Sequence, residues 1–134
     1  MRSKRTTALS AAVMTAAFTL TALPTVPAPA AHAATAPACV SPARPYNGEG
    51  GGRMNGNFNL KVAPYAHCGN VRRLTTGTRV YFGCAHYNAY GNRWWWVRVA
   101  GTSVYGWMND DNIDWEDIDE NGDGDIDWRM CTGA

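Results

Sequence analysis

Acidic residues are nearly absent from most of this chain: before Asp110 there is only Glu49. The basic residues of that region, Arg44, Arg53, Lys61, Arg72, Arg73, Arg79, Arg93 and Arg98, are scattered and form no dense run. That excludes nucleic acid as the expected partner. Beyond the N-terminal stretch no segment is long and apolar enough to span a bilayer, so no membrane partner is expected either. No long helical period occurs before residue 109, which excludes a helical bundle. No internal repeat is present, which excludes a solenoid. There is no C-x-x-C pair. His67-Cys68 and Cys84-x-His86 carry zinc-ligand types, but without that spacing a structural zinc site is disfavoured. A Ser-His-Asp or Cys-His signature is also missing, and the expectation is a protein that is not an enzyme.

The N-terminus carries Arg2, Lys4 and Arg5, then an uncharged stretch from Thr6 to Leu23 rich in Ala, Leu, Val and Phe. Pro24, Pro27 and Pro29 follow, and Ala31-His32-Ala33 fits a small-x-small cleavage site. This order predicts a secretory signal peptide over residues 1–33 and a secreted product. Its removal leaves about 100 residues, enough for one small core. It also takes three of the twelve basic residues, leaving nine against eleven acids, so the overall +1 becomes about −2. The product is expected to be a monomer.

All four cysteines, Cys39, Cys68, Cys84 and Cys131, follow the signal sequence. An even number in a small exported domain predicts two disulfides. Four cysteines allow three pairings. The expected one is Cys68 with Cys84, joining two early strands, and Cys39 with Cys131, tying the ends together.

Residues 34–57, rich in Ala, Pro and Gly, read as a linker. From Phe58 to Trp107 the pattern is short strands and turns: Arg79–Phe82, a turn over Asn88–Asn92, Trp94–Ala100, a turn at Gly101-Thr102, then Val104–Met108. Asn112–Ile118 has room for one or two helical turns. In the central strand Trp95, Val97 and Val99 share one face and Trp94, Trp96 and Arg98 the other. The all-apolar trio reads as core, and the mixed trio as a partly exposed surface.

Four motifs in order carry a family resemblance. Phe58-Asn59-Leu60-Lys61-Val62-Ala63-Pro64 resembles the opening Leu-Asn-Val-Arg-x-Gly-Pro of bacterial Src-homology-3-like (SH3-like, SH3b) domains. Leu74-Thr75-Thr76-Gly77-Thr78-Arg79-Val80 resembles their Leu-x-x-Gly-Thr-x-Val. Asn92–Val99 is similar to the Trp-rich central strand, and Gly106-Trp107-Met108 to the closing Gly-Trp-Val. The resemblance covers residues 58–113. It implies an all-β fold, a small bent barrel of about five strands, and a module that binds a bacterial cell-wall (peptidoglycan) peptide or an extracellular protein. Aromatics lining a groove suit an extended chain, and Tyr81, Tyr87, Tyr90, Trp94, Trp96 and Trp107 are the candidate ligand-binding residues. The alternative is a structural or inhibitory protein with no small ligand.

Ten acids crowd into Asp110–Asp127, and residues 114–134 read as an acidic tail packed on the barrel. Asp119-Glu120-Asn121-Gly122-Asp123-Gly124-Asp125-Ile126-Asp127 resembles the first nine positions of an EF-hand or dockerin-type calcium loop. The resemblance implies Ca2+ held by Asp119, Asn121, Asp123, the Asp125 carbonyl and Asp127. Met130 stands at position 12, where a bidentate Glu is usual. The expected substitute is another acid, such as Asp114 or Asp117. A bound cation would relieve the repulsion among these carboxylates.

Overall fold

The computed structural model describes residues 30, 31, 33–45 and 47–131. The expected signal peptide, residues 1–33, lies almost wholly outside them. A compact unit begins at Thr35, and it contains every strand among the described residues. No described helix is long and apolar enough to cross a membrane.

The fold is all-β. Strands run as β1 (Gly51–Met54), β2 (Phe58–Lys61), β3 (Asn70–Leu74), β4 (Arg79–Tyr87), β5 (Arg93–Val99), β6 (Tyr105–Asn109) and β7 (Ile113–Glu116). They form one antiparallel sheet in the order β3-β2-β6-β5-β4-β1-β7. The expected barrel of about five strands is therefore corrected to an open sheet of seven, with β3 and β7 at its edges. Three of the seven are poor strands by composition. β1 is Gly-Gly-Arg-Met, β3 carries two arginines and β7 two acids. Neighbouring strands, not intrinsic preference, hold them. The expected helical turn over Asn112–Ile118 is likewise corrected: a single 3-10 turn spans Asp110–Asn112, and β7 begins at Ile113.

β1 shows why the glycines are there. It lies between β4 and β7, with Gly52 opposite Val80 on one side and Trp115 on the other. A Cβ on Gly51 would run into the Val80 carbonyl, and one on Gly52 into the Asp114 carbonyl. These glycines permit close backbone approach. The segment read as linker thus contains a central strand.

The core follows the period of two. Trp95, Val97 and Val99 of β5 join Met54, Leu60, Leu74, Met108 and Ile113 in one cluster. On β4, Val80 and Phe82 face the same cluster. A bulge between Phe82 and Cys84 then shifts the alternation, so Ala85 rather than Cys84 continues it. Cys84 is left on the reverse face with Trp94, Trp107 and Cys131. The sheet is therefore packed on both faces at its centre.

This second packing explains the disulfides, which are Cys39–Cys68 and Cys84–Cys131. The expected Cys68–Cys84 and Cys39–Cys131 pairs do not form. Cys68 sits in a small cluster with Ala63 and Tyr65, apart from the cluster that holds Cys84. The C-terminal segment returns across β4, with Cys131 donating its N–H to the Ala85 carbonyl at 2.7 Å and Met130 bridging Ala85 in parallel. With every cysteine bonded, the sulfurs near His67 and His86 have no thiolate to offer a metal.

Candidate functional site

The outer side of β4, β5 and β6 builds the first site. Antiparallel register sets Tyr81 opposite Arg98, Trp96 opposite Trp107, and Arg98 opposite Tyr105. Tyr81, Trp96, Arg98 and Tyr105 line a groove of about 210 Å³, with Arg44, Asn47 and Glu120 at its margin. Trp96 and Tyr105 stack with ring centres 6.0 Å apart and planes 15° apart. The Arg98 guanidinium lies 4.9 Å from the Tyr81 ring centre, and that of Arg44 lies 4.0 Å from Trp96. Stacked guanidinium groups keep their N–H edges available. Neither arginine has a carboxylate partner among the described residues. Arg53, Arg79 and Arg93 do, on Glu116 and Asp110.

Ser41 fixes the margin of the groove. Its hydroxyl accepts from the Trp107 indole N–H at 2.7 Å and from Arg44 at 2.5 Å. Segment 41–44 is thereby pinned over the β5–β6 face.

The six aromatics anticipated from the sequence do not form one surface. Tyr81 and Trp96 reach the groove. Trp107 is fully buried, 5.6 Å from Trp96, and underlies it. Trp94 is also buried and borders a separate hollow among Asn57, Phe58, Asn59 and Asn109. Tyr87 lines a shallow hollow with Val40, Tyr65 and His86. Tyr90 is exposed and meets Tyr65 edge-on. Sequence reasoning missed Tyr105 and Arg44. Tyr105 carries a legible signal, because Val104–Met108 alternates and Tyr105 falls on the outward side. Arg44 carries none.

The acidic loop is the second site. Asp119 accepts two backbone N–H bonds, from Gly122 at 2.5 Å and from Gly124 at 2.8 Å. Asn121 accepts from the Asp123 N–H and Asp123 from that of Asp125, at 2.8 and 2.9 Å. Gly122 and Gly124 take φ of 79° and 91°, which other residues rarely adopt. The bonds to Gly124 and Gly122 hold the Asp119 carboxyl below its ordinary pKa.

A residue distant in sequence, just before β1, joins this loop. The carboxylate oxygens of Glu49, Asp119 and Asp123 lie within 4.8 Å of one another. Glu49 is held there by its N–H bond to the Asp127 carbonyl at 3.0 Å, and its side chain accepts from the Asp127 N–H at 3.4 Å. Asp125 and Asp127 are not in this carboxylate group, and Met130 is held beside Ala85. Three oxygen-bearing acids so close together suit a hard divalent cation such as calcium.

Comparisons with protein-family models, with curated proteins and with solved structures find no match to this chain.

Proposed function

We propose that the protein is a secreted, non-catalytic binding module, related to bacterial SH3-like domains, that takes an extended cell-wall peptide or extracellular protein segment in the groove of Tyr81, Trp96, Arg98 and Tyr105. The groove carries this reading: rigid aromatic walls beside two arginines without acid partners among the described residues. Stacked rings offer contact area at low entropic cost, and the guanidinium edges suit peptide carbonyls and carboxylates. The two disulfides fit an oxidising compartment. Calcium is the proposed stabilising ion of the acidic loop, with Glu49 supplying the oxygens that Met130 lacks. Such an ion would fasten the loop to the strand-proximal Glu49 and so brace Glu120 at the groove margin.

The test is retention of the oxidised protein on purified peptidoglycan, with and without calcium. The Trp96→Ala/Tyr105→Ala variant should lose retention while melting as the parent does. Retention unchanged in that variant would remove the groove from the reading. Absence of retention, together with inhibition of a secreted hydrolase, would favour the inhibitory role instead.

A further inference from the structure

A second cavity, about 180 Å³, lies on the other side of the sheet between β4, β7 and the segment after it, lined by Glu49, Phe82, Trp115, Glu116, Asp117 and Trp128. Its walls are aromatic rings set at steep angles. Phe82 and Trp115 meet at 62° with centres 5.1 Å apart. Trp95 lies behind them and meets Trp115 at 76° and Trp128 at 75°. Trp115 and Trp128 are 43% and 47% exposed, large values for tryptophan in so small a protein, and they border the same opening.

The acid rim is specific. Glu116 is occupied by Arg53 and Arg79. Glu49 and Asp117 have no ion-pair partner among the described residues, and Glu49 is only 9% exposed. A nearly buried carboxylate with no lysine or arginine paired to it among the described residues, beside three ring walls, leaves negative potential facing an aromatic box when the acidic loop is free of calcium. Trp115 is fixed in place: its indole N–H donates to Asp110 at 3.0 Å, and the Arg93 guanidinium lies 5.0 Å from its ring centre. Trp115 is thus a preorganised wall of the box, and Trp128 lines its opening.

We infer that this cavity is a binding site for a methylated ammonium group. Ring faces attract such a cation through their quadrupole, and its methyl groups satisfy an apolar wall that an ordinary ammonium would leave under-packed. The volume falls below that of pockets for drug-sized ligands, so it admits a headgroup rather than a large molecule. Glu116 and Asp117 on the cavity wall, with Asp119 and Asp123 beside Glu49, disfavour a phosphate on the same ligand. The expected ligand is a small, phosphate-free quaternary ammonium compound. This site is separate from the groove proposed above and does not depend on it, and it shares only Glu49 with the proposed calcium loop.

The test is a titration of the oxidised protein, freed of calcium, with choline, with its neutral isostere 3,3-dimethylbutan-1-ol, and with phosphocholine, followed by the indole N–H signals of each tryptophan. Choline should shift Trp115 and Trp128 saturably and bind at least tenfold more tightly than either comparison compound. Glu49→Gln should weaken choline binding at least threefold with the sheet signals unchanged. Trp128→Leu should abolish binding with the sheet signals unchanged. Equal binding of the neutral alcohol, tighter binding of phosphocholine, or no saturable shift would each overturn the inference.

Discussion

Cys84 in the middle of β4 is bonded to Cys131, three residues short of the C-terminus. The bond fastens the returning acidic segment across the outer face of the sheet, and Ala85 reinforces it by pairing with Met130. Cys39–Cys68 instead ties an irregular segment to the loop between β2 and β3. The two bonds therefore hold different parts of the chain and should differ in what their loss releases.

Replacing Cys84 and Cys131 by alanine should cost about 2–5 kcal/mol and release the chain after β7 to proteolysis. The same change at Cys39 and Cys68 should cost less and leave that segment protected. Thermal melting and limited digestion of the two variants check this. Equal losses, with the acidic segment still protected, would count against it.

The tryptophans should separate by environment. Trp95 is fully buried and its indole N–H donates to Asp110 at 2.7 Å, so Trp95→Ala should cost about 3–5 kcal/mol. Trp94 is also buried, but its indole N–H has no partner among the described residues. Trp94→Phe should therefore cost less than Trp95→Phe, because it removes an unsatisfied donor. Trp96→Ala should cost less than Trp95→Ala, a partly buried side chain having less burial to lose. Urea denaturation of the four variants gives the order.

Two glycines test close packing against backbone strain. Gly52→Ala pushes a methyl into the Asp114 carbonyl and should cost about 1–3 kcal/mol by overpacking, separating β1 from β7. Gly91→Ala meets nothing within 4 Å, but its φ is 78°. Its cost of about 1 kcal/mol should come from backbone strain alone. Amide exchange across β1 should quicken in the first variant and not in the second.

Acid should act in two stages. Burial lowers the His86 pKa from its ordinary 6.5, so the unfolded chain takes up that proton more readily. Stability is then complete above the ordinary value and falls as pH drops through it. His86→Gln should flatten that stage. Asp119 acts with the same sign in a lower window: it is held below its ordinary 3.8 by the Gly124 and Gly122 amides. Its contribution is present above 3.8 and is lost only as pH falls toward the lower folded value. Melting against pH, with the Gly122 and Gly124 amide signals as markers, should resolve the order.

Calcium, if it binds the acidic loop as proposed, should raise the melting temperature by mass action, and magnesium should do so far less. Asp119→Ala should remove the effect. Glu49→Gln should weaken it more than Met130→Glu strengthens it, because Met130 is held against β4 while Glu49 already stands with Asp119 and Asp123. Calorimetry on the three variants decides.

The strand content from Phe58 to Met108, the two-disulfide count and the core face of β5 are all legible in the sequence. The disulfide count rests on four cysteines in a small exported domain; the strands and the core face rest on alternation, because each side chain's face in a strand depends only on its neighbours along the chain. Trp96 is legible as a residue of the outward face for the same reason. What only the tertiary structure decides is everything that depends on partners distant in sequence. The glycines of β1 read as a linker until β4 and β7 close on either side of them. β7 reads as helix or tail until β1 pairs with it. The disulfide pairing follows the bulge at Gly83, which turns Cys84 toward the returning C-terminus. Glu49 reaches Asp119 and Asp123 across seventy positions of sequence, and no local pattern could signal that, because a chain's long-range contacts are set by how its strands stack and not by their spacing.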